Sequence, residues 1–293
     1  MLAGNAATII LGTTWVAGGN MPSTSDWICT AYGNSMFVSM INGVGTTYAS
    51  SPTGATWTSR TVTSGSWSSV GYGNGIFMAF SDTGTTQTST TGTSFSAATA
   101  TGIGGSVIYT NGYYLNNWVS VGAGSTSAAI SANNGSTWTA KTLSNSVYAI
   151  TASTTRAVGV KNATANTSYS TDLTTWTTGS MPSSSNWVSV AYGNGVFAAT
   201  SSTSGTIAAS STDGITWTSR TMPATGTWAK VLWAGANFAA FTQGGTTSAT
   251  SVDGITWTSR TITNKSWFSG AVAPDRIVMV AYDASNVSTI STS

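Results

Sequence analysis

A chain of 293 residues that is 40% hydrophobic and 11% aromatic can build a sizeable core, which excludes disorder despite its many Ser, Thr and Gly residues. Only 5% of residues are charged, and seven Asp against nine Lys/Arg leave a net charge of +2, with no Glu and no His. That balance excludes the basic face of a nucleic-acid binder, a Ser-His-Asp triad and any histidine metal site.

The chain opens with "LGTTWVAGG" around Trp15, which reads as a single strand. Residues 1–15 lack the basic start and apolar length of a signal peptide, so any extracellular location is expected to be reached without a cleaved leader. No apolar run approaches the roughly 20 residues of a membrane helix, so no membrane insertion is expected. Cys29 is the single cysteine, so no intrachain disulfide forms.

From Trp15 onward the sequence repeats. Trp15, Trp57, Phe95, Trp138, Trp176, Trp217 and Trp257 follow one another at intervals of 42, 38, 43, 38, 41 and 40 residues. A second aromatic mark falls at Trp27, Trp67, Trp187, Trp228 and Trp267, and ten residues beyond each stands an apolar residue: Phe37, Phe77, Phe197, Phe238 and Ile277. "AYGNSMF", "GYGNGIF" and "AYGNGVF" fill that interval in three repeats. The third repeat keeps "YTNGYY" at 109–114 without its Trp, and the fourth, "VYAITASTTRAV" at 147–158, is the most degenerate.

One unit reads as four strands. "WVSVAY" is short, β-branched and aromatic, "GNG" makes a tight turn because Gly and Asn accept positive φ, and "VFAAT" returns. "TIAASS", a "TDG" turn and "ITWTSRT" complete it. Forty residues of all-β structure is the size of a propeller blade, which hides its faces only against neighbours. The expectation is an all-β, seven-bladed propeller of four-stranded antiparallel blades, forming one domain over residues 1–293. The units are approximately 16–57, 58–95, 96–138, 139–176, 177–217, 218–257, and 258–293 together with 9–15. The N-terminal strand then completes the last blade and closes the ring.

The turn before each first-mark aromatic carries a motif. "SANNGSTW" runs from Ser131 to Trp138, and shorter forms are "STDGITW", "SVDGITW", "STDLTTW", "SPTGATW" and "STTGTSF". Asn133, Asp172, Asp213 and Asp253 are expected to accept backbone N–H bonds that hold the hairpin, with the aromatic as a plug beneath it. These segments resemble the Asp-box repeats of sialidase-type propellers. With "W..VAYGNG.F", the whole chain resembles phage and bacterial propeller repeat proteins.

The sialidase resemblance implies an arginine cluster and a Tyr–Glu nucleophile pair, but the chain has no Glu. A glycosidase carboxylate pair would need two of the seven Asp residues at close range, and Asp26, Asp82, Asp275 and Asp283 stand apart from the hairpin positions. No enzyme activity and no cofactor or metal is therefore expected. "TSRT" and "TAKT" place Arg60, Lys141, Arg220 and Arg260 three residues after a plug, a candidate cationic arc for acidic polysaccharide or an acidic partner, with solvation of an outer strand as the plainer reading. The second-mark Trp residues invite glycan stacking, with burial between blades as the competing reading. The function expected is a non-enzymatic structural or adhesion component of a phage particle, in tail or capsid decoration. Its partners would be other virion proteins, copies of itself or host-surface polysaccharide. A multivalent carbohydrate-binding lectin and, more remotely, a glycan hydrolase are the alternatives.

Overall fold

The structure is a computed structural model, and it describes residues 10–96, 99–103, 111–122, 124–282 and 287–292. Its strands, in chain order, begin with β1 (Val16–Asn20), β2 (Trp27–Gly33), β3 (Met36–Ile41), β4 (Val44–Ser51), β5 (Thr58–Gly73), β6 (Ile76–Ser81), β7 (Thr85–Ser89) and β8 (Thr99–Ala100). The next two groups of four are β9 (Asn111–Tyr114), β10 (Asn117–Val121), β11 (Ser127–Ser131), β12 (Thr139–Thr142), and β13 (Ala149–Ala152), β14 (Ala157–Val160), β15 (Thr164–Ser170), β16 (Thr177–Ser185). They are followed by β17 (Trp187–Gly193), β18 (Val196–Ser201), β19 (Gly205–Ser211), β20 (Thr218–Gly226), and by β21 (Trp228–Trp233), β22 (Phe238–Thr242), β23 (Thr247–Ser251), β24 (Thr258–Thr261). The last strands are β25 (Trp267–Ala273), β26 (Arg276–Ala281) and β27 (Val287–Thr292).

The chain is an all-β propeller built from four-stranded antiparallel blades. Five four-stranded sheets stand apart, and a sixth sheet has seven strands in the order β2-β3-β4-β5-β6-β7-β8. The expectation of seven separate four-stranded sheets is corrected on this point. β5 leaves one ladder and enters the next without a break: Ser66 pairs with Val44 of β4, and the adjacent Trp67 pairs with Ser81 of β6. Elsewhere one residue interrupts the same link, Asn186 between β16 and β17 and Thr227 between β20 and β21. The inner strands touch in a closed cycle: β2 with β5, β5 with β9, β9 with β13, β13 with β17, β17 with β21, β21 with β25, and β25 with β2.

The ring closes between the chain ends. β1 pairs antiparallel with β27, Val16 opposite Ile290, and is the outer strand of the sheet β1-β27-β26-β25. Within the segment around Trp15, the strand itself begins just after the Trp, because each plug aromatic ends a turn and its outer strand starts beyond it. For the same reason each sheet takes its outer strand from beyond the plug, so the sheets straddle the boundaries of the sequence repeats. Residues 1–9 lie outside the described residues.

Two further local corrections concern the degenerate repeats. The third hairpin turns at Leu115 and Asn116, both at positive φ, and not within "YTNGYY", of which residues 109 and 110 fall outside the described residues. Tyr113 and Trp118 take the places of Tyr32 and Phe37, with ring centroids 5.7 Å apart against 4.6 Å for Tyr32 and Phe37. In the fourth repeat Val147 and Ala157, both fully buried, stand in the places of the aromatics, Ala157 opposite Ser170 as Phe197 is opposite Ser211.

Neighbouring sheets meet through a glycine and an aromatic ring. A Cβ on Gly33 would stand 2.1 Å from the Tyr72 ring, one on Gly73 2.0 Å from Tyr113 Cβ, and one on Gly193 1.8 Å from the Trp233 ring. The "YG" of the repeat is therefore one contact seen from both sides: the Tyr of each blade lies on the Gly of the blade before it. The second-mark residues Trp27, Trp67, Trp187, Trp228 and Trp267 are buried, and each indole N–H donates to a carbonyl four residues upstream, as Trp267 does to Thr263 at 2.7 Å. They cannot stack on a sugar.

Gly193→Ala forces a methyl into the Trp233 ring and is expected to lower stability by about 1–3 kcal/mol, the range for an overpacked core. Thermal or urea unfolding of the variant checks it. An unchanged midpoint would mean that this contact does not hold the sheets together.

Candidate functional site

Three places on the ring could carry function: the crown of turns on one face, the outer cations, and the central channel.

The crown is built from the Ser–Gly–aromatic turns. The Ser oxygen accepts the N–H of the turn Gly, from Ser51 to Gly54 at 2.8 Å, Ser89 to Gly92 at 2.8 Å, Ser131 to Gly135 at 2.9 Å, Ser211 to Gly214 at 2.8 Å and Ser251 to Gly254 at 2.9 Å. These glycines hold positive φ, which an L side chain adopts only at a cost. The hydroxyl of Ser211 in turn donates to Asp213 at 2.8 Å, and the Asp213 carboxylate accepts the N–H groups of Ile215 and Thr216 at 2.8 and 3.0 Å. Asp253 and Asp172 repeat this pattern, and Asn133 accepts from Ser131 and from Thr137 N–H.

One such turn is assembled from both chain ends. Gly12, at positive φ, donates its N–H to Ser291 Oγ at 2.8 Å, and Trp15 follows Gly12 at the same spacing as Trp57 follows Gly54. The ring thus shuts inside a motif that no contiguous stretch of sequence contains.

Each plug packs into the interface with the preceding sheet. Trp57 lies against Val278 and Val280, Trp217 against Val158 and Val160, Trp257 against Ala208, and Trp176 against Val119. Trp15 meets Phe241 edge-on at 5.2 Å, Phe95 meets Tyr48 at 5.1 Å, and Trp138 meets Phe80 at 6.1 Å.

Hairpins then link the turns around the ring. Asn34 donates to Thr90 O at 2.6 Å, Asn74 to Asn134 at 3.0 Å, Asn194 to Val252 O at 3.4 Å, and Arg276 to Thr53 O at 3.1 Å. Arg156 donates to Asp213 O, and Asn237 both gives to and accepts from the backbone of Leu11. In each case the hairpin joining the first two strands of one blade grips the turn of the next.

The four cations do not converge. Arg60, Arg220 and Arg260 sit at the third residue of separate outer strands, and each donates Nε to a hydroxyl on the adjacent strand: Ser50 at 3.1 Å, Ser210 at 2.8 Å and Thr250 at 3.0 Å. Lys141 has the same register, opposite Ala128. Each is half-buried and spread over the rim of its own sheet. Among the described residues no three His, Cys, Asp or Glu gather as a metal site. Asp275 pairs with Arg276 at 2.6 Å, Asp82 accepts from Ser66 at 2.6 Å, and Asp283 lies outside the described residues.

The central channel is a cavity of about 520 Å³, to which the inner strands β2, β5, β9, β13, β17, β21 and β25 all contribute. Just inside it a register shift recurs two residues after each second-mark Trp, as between Trp27 and Cys29 or Trp228 and Lys230. The residue after the shift reaches to the next sheet. Ser269 Oγ accepts Thr30 N–H at 3.0 Å, Ser189 Oγ accepts Val231 N–H at 3.0 Å, and Val70 N–H points at the Cys29 sulfur. Burial pushes the Cys29 thiol up to about 12, against the pull of the Met40 and Val70 N–H groups and of Lys230. Lys230 holds this same position in β21 and, among the described residues, is the one charged side chain lining the cavity. It is half-buried and faces channel space, and burial lowers its pKa, with Cys29 pulling the other way. Lys230 was not among the residues singled out from the sequence, although its place two residues after Trp228 marks it.

No family model and no curated protein sequence matches the chain. Solved structures do. Virginiamycin B lyase from Staphylococcus aureus superposes with a TM-score of 0.82 at 11% identity over 96% of this chain and 99% of that one. YCF48 from Cyanidioschyzon merolae gives 0.71 at 13% identity, over 94% and 98%. The RRP9 WD40 repeats give 0.74 at 7% identity, over 97% and 99%. At these identities the likeness is one of fold.

The turn carboxyls set the pH response. Thr175 and Thr174 N–H, with the Ser170 hydroxyl, hold Asp172 at about 2. Burial raises Asp213 and Asp253, but the N–H and Ser hydroxyl donors outweigh it and both end below the ordinary carboxylate range. A depressed folded value means stabilisation that is complete above the unfolded value of about 4 and lost as pH falls toward 2. With no His and no Glu, urea stability is expected to be flat between about pH 5 and 8 and to drop below about 4. A transition near pH 6 would contradict this assignment. Cys29 is expected to react with a thiol reagent at pH 8 only as fast as the chain unfolds, read by labelling rate in native and denaturing buffer.

Proposed function

We propose that this chain is a non-enzymatic seven-bladed ring that serves as a structural and adhesion component of a phage particle. The seven-stranded sheet counts as two blades sharing β5, a reading supported by the closed cycle of inner strands. One observation carries the role: the crown. Its turns are short and alike, and hairpins of one blade are bonded to the turn of the next, so that face is braced; it presents backbone, hydroxyls and the exposed Val252 and Ile255. A braced face with exposed apolar groups suits packing against another protein, whereas small-molecule chemistry favours a concave pocket with converging groups. The phage setting rests on the resemblance of the repeats to phage and bacterial propeller proteins. Low charge supports it, since little repulsion keeps copies apart.

The lectin reading has weaker support, because the second-mark Trp residues are buried and the rim cations are each engaged or separate. The deciding experiment is mass spectrometry and electron microscopy of purified particles. The expected result is the ring at a fixed copy number within the particle. Recovery solely as a free monomer would overturn the proposal.

A further inference from the structure

The central channel contains a residue that the architecture does not explain. Where three interfaces between inner strands place Ser269, Ser189 or Cys29 to accept an N–H from the next sheet, the interface between β21 and β25 places Lys230. Its ammonium group cannot accept, so Lys230 cannot take the N–H of Gly270, which stands where Thr30, Val70 and Val231 do. Nor does it have a carboxylate beside it: none lines the cavity among the described residues, and the one acidic group that acts on Lys230 is Cys29, whose thiol burial holds protonated. A half-buried lysine that faces a channel without a carboxylate has a charge left to pair with an anion.

We propose that the central cavity binds a small apolar carboxylate, whose anionic end meets the Lys230 ammonium group. At about 520 Å³ the cavity falls within the range of small-molecule sites, about 300–1,000 Å³. Ile28, Val70, Val190, Leu232 and Phe268 supply apolar wall, hydroxyls such as those of Ser68, Thr151 and Ser202 supply neutral polar groups, and Lys230 supplies the charge. A single negative charge on an apolar body matches that lining. A phosphate with two charges would leave one without a counter-charge, because among the described residues no second cation lines the wall. The cavity opens toward the exposed Gln243, which gives a ligand a polar entrance. This site is independent of the role proposed for the crown.

Benzoate is the probe, with benzyl alcohol as its uncharged counterpart, and binding is read by isothermal titration and by amide chemical shifts of the whole chain. The expected result is saturable benzoate binding at millimolar concentration, with shifts centred on β21, β25 and β2 and at least tenfold weaker binding of benzyl alcohol. Lys230→Ser restores at this interface the hydroxyl that Ser189 and Ser269 use at theirs. It is expected to fold and to lose benzoate binding at least tenfold. Lys230→Met, which keeps the length and removes the charge, is expected to lose it equally. Equal binding of the two probes, unchanged affinity in the folded Lys230→Ser protein, or no saturable benzoate binding would each overturn the proposal.

Discussion

Everything in this ring depends on how closely one sheet can approach the next. A four-stranded sheet has two apolar faces, and around a closed ring each must be covered by a neighbour. The inner strands come close enough because glycine stands where the aromatic ring of the following blade arrives: Gly33 under Tyr72, Gly73 under Tyr113, Gly193 under Trp233. Any side chain at those glycines would hold the sheets apart. The same closeness brings Ser269, Cys29 and Ser189 within reach of the N–H groups across the interface, so backbone groups facing the channel find partners.

The crown applies the same constraint at the ring's surface. A hairpin that overhangs the next blade must end in a side chain able to donate, and Asn34, Asn74, Asn194 and Asn237 do so from a turn where Asn also accepts or flanks positive φ. Arg156 and Arg276 do it in the blades whose hairpins differ. Asp172, Asp213 and Asp253 act inside single turns and never face one another. Their charge is held by backbone N–H groups, which is why their pKa values are depressed.

Much of the candidate site was not legible beforehand. The rim cations looked like an arc because equal spacing in sequence implies equal radius, but equal radius also means one per sheet, and each Arg found a hydroxyl on its own sheet. Lys230 was overlooked because a single Lys among Ser and Cys has no periodicity of its own. Its meaning lies in breaking a pattern of contacts, and those contacts run between strands that are forty residues apart in the chain.

The sequence by itself determined the repeat, the four-strand unit, the plugs and the carboxyl turns, because these rest on local hydrogen bonds and on burial patterns of period two. It also implied that the N-terminus completes the last sheet. Only the tertiary structure decided that β5 runs unbroken through two ladders, that the closing turn is made of Ser291 and Gly12–Trp15, and that the third hairpin sits at Leu115–Asn116. It alone decided, too, that Lys230 faces a common cavity. Each of these depends on where a strand from elsewhere in the chain lies, and spacing along one chain carries no measure of distance across a closed ring.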